Sequence, residues 1–171
     1  MKLKLSELAS IAEVIGAAAV VISLIYVGAQ VRDTNRAVRS AAINDATIAV
    51  QSWYQMMSSD PAGIDAWLNS ALNAEATPRN EEFRFQMQLQ ALMYAIQNVF
   101  MLSQEGAIDL EFRDSMANLI RPGGHTPGFE RYWVQRREYF HPEFASFVDE
   151  VLAREGPLDS AVEVYQPSAD R

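Results

Sequence analysis

The run Val14–Val31, VIGAAAVVISLIYVGAQV, constrains this chain more than any other stretch. Eighteen consecutive residues carry no formal charge. At about 1.5 Å of rise per helical residue, the run reaches roughly 27 Å, close to the hydrocarbon thickness of a bilayer. It reads as a single membrane-spanning helix. A cleaved signal is the competing reading, with Lys2 and Lys4 as its basic start and Val27-Gly28-Ala29 as a small-residue cleavage site. Against it, the leading segment carries Glu7 and Glu13, and the apolar run is longer than a signal's usual core.

Charge divides the chain at the same place. Residues 1–40 hold five basic side chains (Lys2, Lys4, Arg32, Arg36, Arg39) against three acidic ones (Glu7, Glu13, Asp33), within a chain of net charge −8. Everything after them is strongly acidic. Such a surface repels nucleic acid and anionic lipid, so no nucleic-acid partner is expected. The absence of cysteine excludes disulfides, thiol catalysis and thiolate metal sites. Three regions follow: an anchor and juxtamembrane segment over 1–40, an acidic helical bundle over 41–155, and a loose tail over 156–171.

Two patterns decorate the anchor. Ala12, Gly16, Ala19, Ser23, Tyr26 and Gln30 follow 4-3-4-3-4 spacing, which lines small and polar groups along one side. Small residues let helix backbones approach closely in lipid, so this face is expected to contact another membrane helix, from a further copy or a larger complex. Arg32, Arg36 and Arg39 fall near one face just after the span and suit phosphate head groups. Three positive side chains after the span against two before it place the domain on the cytoplasmic side.

The spacing then predicts helices. Ile43, Ala46, Val50, Trp53 and Met57 continue an amphipathic stripe, so one helix is expected from about Leu8 to about Ser58. Asp60-Pro61 breaks it, and a short helix follows around Ile64 to Leu72. Thr77-Pro78 is expected to cap a helix that carries Phe85, Leu89, Leu92, Ile96, Val99 and Phe100 inward and stops at Gly106. Asp109 caps another, ending before Pro122-Gly123-Gly124. Thr126-Pro127 and Pro142 open two more, the last running to about Arg154. The fold class is all-α: one N-terminal transmembrane helix continuing into a small soluble helical bundle.

The stretches LIYVGAQVRDTNRAVRS, QNVFMLSQEGAIDLEF and PGFERYWVQRREYFHPEF resemble an uncharacterised family of small bacterial single-pass membrane proteins with an α-helical soluble domain. The matching positions are Gln30 and Arg32, Gly106 and Asp109, Trp133 and Arg137, and Phe140, Pro142 and Phe144. The resemblance implies this architecture and a bacterial inner-membrane address. It implies no activity.

Catalytic signatures are missing. Neither a phosphate-binding glycine loop nor a nucleophile elbow occurs. Of the two histidines, His125 follows a Gly-Gly turn. His141 stands three residues after Glu138, a spacing that puts carboxylate and imidazole on one helical face, with Glu143 as a further oxygen. Pro142 interrupts that pattern, and the pair is read as solvent-facing or paired with arginine, without a converging third ligand. No catalytic residue, cofactor or metal is expected. The local anomaly is seven aromatics within residues 129–147. Phe129, Trp133, Phe140, Phe144 and Phe147 suit one face across two helices, a core. Phe129, Tyr132, Trp133 and Phe140 beside Arg136 and Arg137 also have the composition of a partner or ligand surface. Two functions fit: a non-catalytic membrane-anchored subunit or scaffold, or a helical binding module for a small apolar ligand or lipid.

Overall fold

The structure is a computed structural model describing the backbone of residues 5–154 and the side chains from residue 12 onward. Lys2, Lys4 and the expected tail over 156–171 lie outside the described residues. The described residues form helices α1 (Leu5–Ser58), α2 (Pro61–Leu72), α3 (Arg79–Gln104), α4 (Leu110–Ala117), α5 (Arg121–Gly124), α6 (Pro127–Arg136) and α7 (Pro142–Leu152), with no strand among them. The chain divides into two compact units, Met1–Ala41 and Ala42–Arg171.

In the first unit the described side chains of α1 are exposed on every side. Its most apolar 18-residue stretch has mean hydropathy 2.2, and none of it is buried within the chain. This helix is long and apolar enough to cross a membrane. No Pro or Gly pair interrupts the ladder, and α1 runs unbroken from Leu5 to Ser58.

In the second unit the end of α1 becomes amphipathic. Ala46 and Val50 are buried, Ala42, Ile43 and Trp53 pack partly against the core, and the Trp53 indole donates to the Gln88 carbonyl at 2.8 Å. Asp60 ends the helix in extended geometry because the following Pro61 disfavours the helical region there, and its carboxylate caps α2 through the Ala62 N–H at 3.2 Å. The core is centred on α3, which buries Phe85, Leu89, Leu92, Met93, Ile96, Val99 and Phe100. Gly106, at φ +73°, ends that helix in the left-handed region that only glycine adopts cheaply. Asp109 then caps α4, accepting from Phe112 N–H at 2.7 Å.

One boundary differs from the sequence expectation. Thr77 does not cap α3. Pro78 occupies the cap position without a side-chain bond, while the Thr77 hydroxyl meets the buried Ser70 hydroxyl at 2.6 Å. A tertiary partner outcompetes the local cap. The helix capped by Asp109 ends at Ala117, before Pro122-Gly123-Gly124 as expected. A 3-10 turn over Asn118–Ile120 leads into α5, where Pro122 sits in the first turn and its missing N–H costs nothing.

Polar clamps fix the helices around the core. Arg131 donates to the carbonyls of Ser70 (2.9 Å), Asn73 (2.6 Å) and Ala74 (3.2 Å), closing the open end of α2, and pairs with Glu82 at 3.2 Å. Burial alone would raise the Glu82 carboxyl. The hydrogen bonds from Arg131 and Gln86 and the Arg131 charge outweigh it and hold Glu82 below the ordinary glutamate range. Asp149 of α7 accepts from Arg137 at 2.7 Å and from the Trp133 indole at 2.8 Å. The Arg137 hydrogen bond is the main reason its carboxyl lies below the ordinary aspartate range. Gly128 lets α6 touch α2: a β-carbon there would collide with the Ser70 carbonyl oxygen and lie 2.7 Å from the Ala71 Cα.

Two outcomes follow from this packing. Gly128→Ala should cost about 2 kcal/mol, because backbone, not a flexible side chain, blocks the added methyl; urea unfolding measures it, and an unchanged midpoint would refute the close contact. Both clamped carboxylates have lowered values when folded, so their stabilisation is complete above the ordinary carboxylate range and is lost as pH falls below it. Unfolding followed between about pH 5 and about pH 2 should show that loss. Arg131→Met should be less stable at neutral pH by about 2 kcal/mol and should lose the Glu82 share of the acid dependence.

Candidate functional site

The aromatic region is built as core. Phe129, Tyr132, Trp133 and Phe140 are all buried, with Tyr132 fully so. Trp133 lies 5.6 Å from Phe140, which lies 5.7 Å from Phe144, and Phe129 stacks on Trp133 at 6.3 Å. The Tyr132 hydroxyl donates to Gln90 at 3.0 Å, and burial pushes its ionisation well above the usual tyrosine range. These four rings are packed into the core rather than laid out as an exposed aromatic surface, and Phe129 also reaches the wall of a cleft. Arg136 lies over the exposed Tyr139 ring at 5.3 Å and reaches Gln86, while Arg137 is held by Asp149. Packing consumes the rings because α6 and α7 present them to the same side of α3.

The Glu138–His141 spacing is not helical. Glu138 lies in a 3-10 turn over Arg137–Tyr139, Phe140 is extended, and His141 is the residue before α7. Pro142 forces that extended break, so carboxylate and imidazole do not share a helix face. Both are exposed, and the His141 N–H donates to Gln97 at 2.9 Å. Among the described residues no three His, Asp or Glu side chains converge on a point that could hold a metal.

On α1, Ala12, Gly16, Ala19, Ser23, Tyr26 and Gln30 are exposed, as are Arg32, Arg36 and Arg39. Their helical register puts the first set along one side and the three arginines within one narrow sector.

The one feature that sequence spacing did not suggest is a cleft in the helical domain. It has a volume of about 410 Å³, and its wall includes Trp53, Trp67, Leu68, Leu92, Ile120 and Phe129. Three chain segments far apart in sequence assemble it, and no linear pattern marks such a meeting. The Trp67 ring packs between Trp53 at 6.3 Å and Phe85 at 5.3 Å, and its buried N–H has no hydrogen-bond partner among the described residues. A neighbouring cleft of about 450 Å³ is bordered by Met56, Met57, Phe83 and Met87, with the Asp60–Arg84 ion pair at 3.7 Å on its wall.

The chain matches no family model, no curated protein and no solved structure.

Proposed function

We propose that this protein is a non-catalytic, single-pass membrane-anchored subunit or scaffold, held in a bacterial inner membrane with its acidic helical domain in the cytoplasm. One observation carries the reading: an uncharged helical stretch long enough for a bilayer, with no side chain buried within the chain. Exposed to water, a stretch of that length would be a large apolar surface with nothing to cover it. In a bilayer it is at its lowest free energy, and its satisfied backbone ladder is the form lipid requires. Arg32, Arg36 and Arg39 then lie where phosphate head groups begin. The small residues at Ala12, Gly16, Ala19 and Ser23, with Tyr26 and Gln30, give the span a side on which another helix packs closely.

A second reading is favoured by the apolar cleft beside Trp53 and Trp67: the helical domain takes up a single acyl chain or a similar small apolar molecule. Clefts of about 300–1,000 Å³ lined by aromatic and aliphatic side chains are the usual form of such sites.

The anchor reading is tested by washing native membranes at alkaline pH and sizing the mildly solubilised protein. The chain should stay with the membrane, and Gly16→Leu or Ala19→Leu should release the assembly, while Ile15→Leu leaves it intact. Release by the wash removes the anchor; identical assemblies in all three variants place the contact elsewhere. For the cleft, a fluorescent fatty acid should bind saturably to the purified chain, and Leu68→Trp, which fills the cleft, should weaken it by about tenfold. Absence of saturable binding in the wild-type chain disposes of the second reading.

A further inference from the structure

Between Glu13 and Asp45, α1 carries an uninterrupted heptad register. Leu24, Val31 and Val38 occupy its a positions and Val20, Val27 and Thr34 its d positions, with Ala17 and Ala41 closing the two ends. The flanking e and g positions are uncharged throughout: Gly16, Ser23, Gln30 and Ala37 on one side, Val21, Gly28 and Asn35 on the other. Four charged residues fall within this stretch, and each takes an outer position, Arg32 and Arg39 at b, Asp33 at c and Arg36 at f. Within the apolar run the outer positions are mixed, Ile15, Ile22, Ile25 and Tyr26 being bulky and Ala18, Ala19 and Ala29 small. The register stops at acids placed on the seam itself, Glu13 at d and Asp45 at a. A 3.5-residue repeat with all charge directed outward is the pattern of a helix that supercoils with a like helix.

The seam is also unpaid for within the chain. Val20, Leu24, Val27, Val31 and Val38 are each more than half exposed, and Val38 lies seven residues past the end of the apolar run. Lipid covers the earlier positions, but it does not account for an apolar a position alternating with arginines beyond the span.

We infer that α1 associates with a second copy of this chain, parallel and in register, along the seam from Ala17 to Ala41. The inference rests on the anchor reading, because insertion in one membrane makes copies parallel and sets them at one depth. That arrangement places Val31 against Val31 and Val38 against Val38 of the other copy, with Gln30 and Asn35 in hydrogen-bonding positions on the flanks. The arginines of both copies then point away from the contact and from each other. The seam differs from the small-residue side: Ser23 and Gln30 flank it, whereas Ala19 and Tyr26 face outward, which leaves that side open to a different helix.

The absence of cysteine makes the test clean. Val31→Cys, Val38→Cys, Arg36→Cys and Tyr26→Cys are made singly in the full chain and oxidised in native membranes. Val31→Cys and Val38→Cys should give cross-linked homodimer at least about fivefold above Arg36→Cys and Tyr26→Cys. Equal yields at all four positions, no homodimer at any, highest yield at Tyr26→Cys, or adducts with a different protein would each overturn the inference. As an independent measurement, Val38→Asp should lower the native mass in detergent to that of one chain with helix content unchanged; retention of the wild-type mass would also overturn it. An alkaline wash of the same membranes reports separately on the anchor, so a protein that stays inserted yet shows no seam pattern fails here alone.

Discussion

The helical domain depends on how Arg131 is held. One guanidinium closes the carbonyl end of α2 and pairs with Glu82 at the start of α3, while its own backbone belongs to α6. Three helices that share little sequence contact are thereby fixed at one point. Glu82 begins a polar row on α3 that continues through Gln86 and Gln90, each bonded to α6, and Gln97 extends it to His141. The apolar core of α3 occupies the adjoining sector of the helix. Hydrogen bonds and packing thus bind this helix to its neighbours along one broad side, and the Gly128 contact brings α6 against α2 beside it.

The elements that were legible in the sequence are those whose cause is local. Apolar spacing placed α1 and α3, Asp60-Pro61 and Thr126-Pro127 placed two starts, and Gly106 placed a stop through its positive φ. What escaped was decided by distant partners. Thr77 looks like a cap until Ser70 is brought beside it. Nothing near Arg131 in sequence announces its role. The cleft escaped for the same reason, since Trp53, Trp67 and Phe129 come from three different helices.

The Trp-x-x-x-Arg element has a plain physical meaning. Trp133 and Arg137 are one helical turn apart, and both bind the carboxylate of Asp149, which ties α6 to α7. Six of the seven aromatics nearby serve the same closure, Tyr139 staying exposed: rings in a ladder at 5–6 Å fill the space between those helices and α3. Side chains that have the composition of an interaction surface therefore serve internal cohesion first, with Phe129 also bordering the cleft.

Proline opens α2, α6 and α7, standing at the first position of each. A helix with proline there cannot extend backwards, because the preceding residue is turned out of helical geometry. Arg131 holds the other end of α2, whereas the far ends of α6 and α7 are closed by backbone hydrogen bonds that open and close with little cost. α6 and α7 consequently have a fixed origin and an adjustable terminus, so lengthening, shortening and breathing are confined to one direction along the chain. Sequence change can trim or add a turn at their carbonyl ends while the inward-facing register of these two helices stays where proline set it.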